Sequence, residues 1–158
     1  MALRLSTGLR TAMMSAGGVG TGGTGGFKTL LDGGCMDIFT GSQPASADYV
    51  ETGTKLLRIS STSGTIFAGC TNGLRFGTAA AGVLPLTVPV WTGTVLVAGV
   101  AGWFRLYGTT GTAGTSATTW RLDGNVGISG ADLNLSHTTL VVDSTLTVKT
   151  FNITQPAE

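Results

Sequence analysis

The sequence predicts a mainly β protein, an antiparallel β-sandwich of jelly-roll type preceded by a short N-terminal helix and a glycine-rich link. Three observations carry this reading. From Cys35 onward, apolar and polar residues alternate over short runs, as strands with one buried face require. Gly, Thr, Ser, Asn and Pro separate those runs at intervals of roughly ten residues, the spacing of short strands joined by tight turns. Helical periodicity is confined to residues 1–34, so the chain divides into that N-terminal part and a β domain over 35–158.

Taken in order, Ala2, Leu5, Leu9, Ala12, Met13 and Ala16 recur at the spacing of one helical face, with Ser6 or Thr7 placed to cap its start. Seven of the ten residues Gly17–Gly26 are glycine, which ends that helix, since each glycine costs about 1 kcal/mol relative to alanine at a helical position. As a coil such a link spans ~16–19 Å, enough to let the first helix dock away from its own β domain. Phe27, Leu30 and Leu31 form a second helical turn, stopped by Gly33 and Gly34.

Strands are expected near Cys35–Thr40, Lys55–Ser60, Gly73–Thr78, Val83–Val90, Gly93–Ala98, Trp103–Tyr107, Thr118–Leu122, Ala131–Asn134, Thr139–Val142 and Thr145–Thr154. In the last two of these, Leu140, Val142, Leu146 and Val148 share one parity, whereas Phe151 and Ile153 have the other. A bulge or a change of sheet near Lys149 and Thr150 is needed to bury all six. Pro85 and Pro89 each lack a ladder donor, which places their segment on an edge or in a covering arm. Trp103 and Arg105 share one strand face, and Phe104 and Leu106 the other. The second pair belongs to the core; the first is either an exposed stacked pair or part of a rim.

The glycine segment contains G-x-G-x-x-G at Gly18, Gly20 and Gly23, but a dinucleotide site needs a strand before that pattern, and here a helix precedes it. The pattern also repeats out of frame, and Lys28 does not follow a glycine as a phosphate-binding lysine would. His137 sits alone in a turn. No serine or cysteine occupies a nucleophile elbow, and Gly69-Cys70-Thr71-Asn72-Gly73 reads as a turn with a buried thiol. Asp32, Asp123 and Asp143 fall at turn-like positions, where aspartate bonds to nearby backbone. The chain is therefore expected to be non-enzymatic, with no catalytic residues, cofactor or metal. Cys35 and Cys70 are expected as unpaired buried thiols.

Only 11% of residues are charged, against 26 glycines and 27 threonines, and the net charge is +1. Lys and Arg never occur in runs, so neither nucleic acid nor an anionic membrane is an expected partner. Arg4 and Arg10 interrupt what would be the apolar core of a signal peptide, so the N-terminus reads as retained. So little charge suits a surface that neighbouring copies cover.

Five segments, LSTGLRTAM, DIFTGSQPASADYVETGTKLL, AGWFRLYG, RLDGNVGISGADLNL and LTVKTFNITQP, together resemble small virion structural proteins encoded in the head and tail gene clusters of tailed bacteriophages. The most recognisable parts are Ile38–Asp48 and Asp123–Leu135. The resemblance implies a particle component present in many copies, with no catalytic motif to carry over. It points first to a capsid cement or decoration protein in the virion head, binding the major capsid protein and further copies of itself, for instance as a trimer. A tail, neck or baseplate component shares these traits. Leu5, Leu9 and Met13 of the helix, with Trp91, Trp103 and Arg105, are the candidate interface residues. Trp91, Trp103 and Trp120 are either core or interface anchors or the exposed aromatics of a carbohydrate-binding module.

Overall fold

The computed structural model describes residues 3–15, 26–65, 72–87, 90–109 and 112–154. The glycine link, Cys70 and Pro89 lie outside the described residues. The elements are β1 (Arg4–Leu5), α1 (Thr7–Ser15), α2 (Phe27–Leu31), β2 (Cys35–Thr40), β3 (Lys55–Ile59), β4 (Val83–Pro85), β5 (Trp91–Thr94), β6 (Gly99–Tyr107), β7 (Arg121–Gly127), β8 (Leu133–Asn134), β9 (Thr139–Leu140), β10 (Thr145–Val148) and β11 (Asn152–Thr154).

The chain is mainly β and antiparallel, as its alternation predicts. One sheet runs β1-β7-β6-β2-β3, with β9 added to β6 and β8 lying parallel to β7. Two strand pairs complete the fold, β10 with β5 and β11 with β4. Ser60 and Thr92 exchange two backbone hydrogen bonds of 2.9 Å, which ties β5 to the end of β3. Met36, Ile38, Leu57, Ile59, Phe104, Leu106 and Leu122 on one face of the large sheet form a single buried cluster with Phe76, Trp91, Leu146, Val148, Phe151 and Ile153. Phe104 meets Phe151 edge-on at 5.5 Å, and Trp91 lies 5.6 Å from Phe151, so aromatic contacts bridge the layers of this sandwich-like packing.

The parity break at Lys149–Thr150 is resolved by a change of sheet. β10 pairs with β5 and β11 with β4, and Leu140, Leu146, Val148, Phe151 and Ile153 are all buried; Val142, expected inside with them, is instead 45% exposed because β9 ends at Leu140 and a turn follows. Pro85 lies on β4, whose only named strand partner among the described residues is β11. Over Gly73–Thr78 there is no strand; only an isolated bridge between Phe76 and Leu86 forms. β7 begins at Arg121, later than expected, because Thr118 and Thr119 are used by the N-terminus. A Cβ on Gly8 would lie 2.3 Å from the Thr118 carbonyl oxygen, and the Ser6 hydroxyl donates to the Thr119 carbonyl at 2.7 Å.

The N-terminal helix does not leave its own domain. Ser6 is its cap: the Oγ accepts the Leu9 N–H at 3.1 Å and also the Arg121 N–H at 3.0 Å. The Thr7 N–H and hydroxyl donate to the Asp48 carboxylate at 2.8 and 2.6 Å, and Leu9 is wholly buried in the core. Leu5, expected on the helical face, instead pairs with Leu122 in β1, since a capping Ser6 must leave the residues before it extended.

Candidate interaction surface and the buried ionic layer behind it

Strand alternation puts Trp103, Arg105 and Tyr107 on the face opposite the apolar core, opposite Phe39, Asp37 and Cys35 of β2 and Asn125, Asp123 and Arg121 of β7. That face is covered. The segment 41–54 and the loop 112–119 lie over it and supply acceptors: Trp103 donates to the Thr52 carbonyl at 3.2 Å, and Arg121 donates to the carbonyls of Gly114 at 2.6 Å, Ala47 at 3.4 Å and Thr112. Arg4 donates to the Pro44 carbonyl.

Arg105 is the centre of this layer and has no exposed surface. Its Nε and Nη2 donate to the two Asp123 oxygens at 2.7 Å each, a bidentate pair, and its Nη1 donates to the Tyr49 carbonyl and to Glu51 Oε1 at 2.9 Å each. Its guanidinium also lies 5.4 Å from the Trp103 ring centre. Glu51 is filled from three sides, since Tyr107 donates to Oε1 at 2.7 Å and the Gly114 N–H to Oε2 at 2.9 Å. A second pair, Arg58 on Asp37 at 2.6 and 2.8 Å, lies on the same face. Asp123 is thus a strand residue in a buried ion pair, not a turn residue; Asp32 likewise reaches a distant partner, accepting the Phe76 N–H at 2.6 Å.

Burial raises the Glu51 carboxyl, but the Gly114 N–H, Tyr107 hydroxyl and Arg105 outweigh it and hold the group below its ordinary range. For Asp123 burial is the largest influence and pushes the carboxyl up against the pull of Arg105. Burial also pushes the Cys35 thiol up to about 11. A folded value below the unfolded ~4.3 means that Glu51 contributes stability above that pH and loses it as pH falls through the folded value. Glu51→Gln is therefore expected to cost about 2 kcal/mol at neutral pH, roughly 5 °C in melting temperature. The gap from the natural chain should close on acidification. A gap that stays constant from neutral pH to below about 4 in thermal melts would show that the ionised carboxylate is not what matters.

At one end of the molecule the pattern inverts. Leu96, Val97, Val100, Val141 and Val142 are 64, 42, 58, 64 and 45% exposed. Four of them stand on two loops tied to each other, where the Val95 N–H donates to the Ser144 carbonyl and the Asp143 N–H to the Val95 carbonyl, both at 2.9 Å; the fifth, Val100, lies at the start of β6 and pairs with Thr139 of β9. Isolated surface aliphatics are ordinary, but four on two hydrogen-bonded loops with a fifth at the start of β6 form a candidate interaction surface.

The residues singled out from sequence lie elsewhere. Leu9, Trp91, Trp103 and Arg105 are wholly buried within the chain, so they have no side-chain surface to offer a partner in this fold. Arg105 and Trp103 are neither exposed nor at a rim, because residues 41–54 cover them. Leu5 and Met13 are half-buried against the core, as is Trp120. With Trp91 and Trp103 inside, an exposed aromatic platform for sugars is not formed by them. His137 is exposed beside Ser136, with 2.9 Å between Nδ1 and Oγ. The aliphatic end carried a sequence signal that went unread: Leu96-Val97 and Val141-Val142 are consecutive, and a strand with one buried face cannot bury both members of such a pair.

Neither a family model nor a curated protein nor a solved structure matches this chain.

Proposed function

We propose that this chain is a non-enzymatic structural protein of a multi-copy particle, a capsid cement protein of a tailed-phage virion that bridges shell subunits. The observation that carries the reading is the exposed aliphatic end, four side chains on a hydrogen-bonded double loop and Val100 at the start of β6. With only 11% charged residues, the chain has little surface charge with which to offset such a patch, which favours a covered surface. The major capsid protein is the partner for that end. The resemblance of the Ile38–Asp48 and Asp123–Leu135 segments to virion proteins supports the same assignment. Each segment also reaches the ionic layer, Asp123 through its pair with Arg105 and Ala47 through its carbonyl on Arg121.

Quantitative mass spectrometry of purified particles, before and after separation of heads from tails, tests this. The chain should travel with heads at a copy number on the order of that of the shell subunits, and Leu96→Asp with Val141→Asp should abolish loading while leaving the melting temperature within a few degrees. Copy numbers in the single digits or low tens would assign it to the neck or tail instead.

A further inference from the structure

Among the described residues, the β10 strand has one unpaired edge. Thr92 of β5 exchanges both its backbone hydrogen bonds with Ser60, so Trp91 and Gly93 face β10 and take up Val148 and Leu146. In an antiparallel strand the intervening residues then direct their N–H and C=O the other way. Thr145 and Thr147 therefore point theirs outward, and among the described residues no strand or side chain accepts or donates to them. An open cleft of about 390 Å³ runs beside this edge, between Thr147 and Lys149 on one side and Asn134 and Ser136 on the other. Natural edges are blunted by being very short, by proline, by charge or by a bulge, and β10, at four residues, has only the first of these. Thr145–Val148 contains neither proline nor charge and has a regular register with β5.

We infer that this edge pairs with the same edge of a second copy, antiparallel and centred on Leu146. That register sets Thr145 opposite Thr147 of the second copy in both directions, so the four outward groups of each chain are satisfied by four hydrogen bonds. It places Leu146 against its own symmetry mate on the core face and the two threonines together on the solvent face, as the burial alternation demands. Hydrogen bonding selects this register over its neighbours: centred on Thr145 or Thr147 instead, only one of the two outward residues of β10 would face an outward residue of the second strand. The joined sheet would run β5-β10-β10-β5 through two chains, and the two aliphatic ends, each beginning a few residues before β10, flank it.

This inference rests on the reading that the chain works in multi-copy assemblies, and it can fail separately. The chain should sediment as two 15.9 kDa protomers, and Thr147→Pro should sediment as one with an unchanged melting temperature, since that N–H has no partner among the described residues. Should Thr147→Pro misfold, crosslinking decides. Thr145→Cys chains mixed with Thr147→Cys chains should form an interchain disulfide under mild oxidation, because hydrogen-bonded partners lie about 5.5 Å apart between Cα atoms, within disulfide range. Thr147→Cys chains alone should not, since two like positions are offset by about 6.8 Å along the strand as well. A natural chain that stays monomeric at about 100 µM, far above the micromolar constants of weak specific pairs, overturns the pairing. So does a dimer in which the mixture crosslinks no better than Thr147→Cys alone. Either result leaves the copy number in particles free to support or refute the cement reading.

Discussion

Arg105→Met is expected to destabilise the protein by about 3–5 kcal/mol, a third or more of what a domain of this size ordinarily has. The loss comes from what remains behind. Asp123 is fully buried and would lose its cation, leaving it either charged and unpaired or forced to take up a proton, Glu51 would lose one of its three donors, and the Tyr49 carbonyl would be left without the guanidinium. Arg105→Lys retains the charge but cannot supply the two parallel bonds to Asp123 together with the bonds to residues 49 and 51, so it should fall between the two. Arg105→Met combined with Asp123→Leu should recover much of the loss, since an apolar pair of similar volume replaces the ion pair without a stranded charge. Urea denaturation of the four proteins would give the order natural chain, double variant and Arg105→Lys, then Arg105→Met. If Arg105→Met unfolds within about 1 kcal/mol of the natural chain, the buried layer is not what holds residues 41–54 in place.

The strand faces were legible, and the cover over one of them was not. Alternation correctly separated Phe104 and Leu106 from Trp103 and Arg105, because a strand presents its two faces by geometry alone. What lies over the second face depends on residues 41–54 and 112–119, which have no period and act through backbone carbonyls of Thr52, Tyr49 and Gly114 that any residue type could present. Glu51 is the only carboxylate those segments bring to Arg105, and nothing in its neighbours marks it out. The change of sheet after β10 was legible because a parity break is a physical demand on burial. The placement of α1 was not: the Ser6 cap can be read locally, but the partners that hold the helix, Thr119 and Asp48, are 113 and 41 residues away. Glycines show the same division. Gly33 and Gly34 read from sequence as a helix stop, and Gly33 serves as one, with φ +80° just past the end of α2 at Leu31, whereas the close packing at Gly34 had no local signal.

Gly34→Ala should cost about 3 kcal/mol or more, the upper end for overpacking, and the reason is space. Its backbone angle is not in the left-handed region, yet a Cβ there would sit 1.7 Å from the Tyr107 carbonyl oxygen and 2.9 Å from its carbon. Both are backbone atoms of β6, so no side-chain rotation relieves the overlap. The end of β6 must move, or Gly34 must, and both are held: the Gly34 carbonyl accepts the Leu74 N–H at 2.9 Å, and Tyr107 pairs with Cys35 while its hydroxyl fastens Glu51. Displacing Tyr107 therefore also loosens the ionic layer, and the variant should lose part of the acid sensitivity that Glu51 confers. Two other glycines separate crowding from backbone conformation. A Cβ on Gly26 or on Gly130 meets nothing within 4 Å, but Gly130 has φ +66°. Gly26→Ala should then change stability by less than about 0.5 kcal/mol, and Gly130→Ala should cost about 1 kcal/mol from the left-handed backbone alone. Denaturation midpoints in the order Gly26, Gly130, Gly34 would place the largest cost where two backbones touch. If Gly34→Ala proved no worse than Gly130→Ala, β6 yields easily at Tyr107, and the rigid frame assigned to the covered face would have to be abandoned.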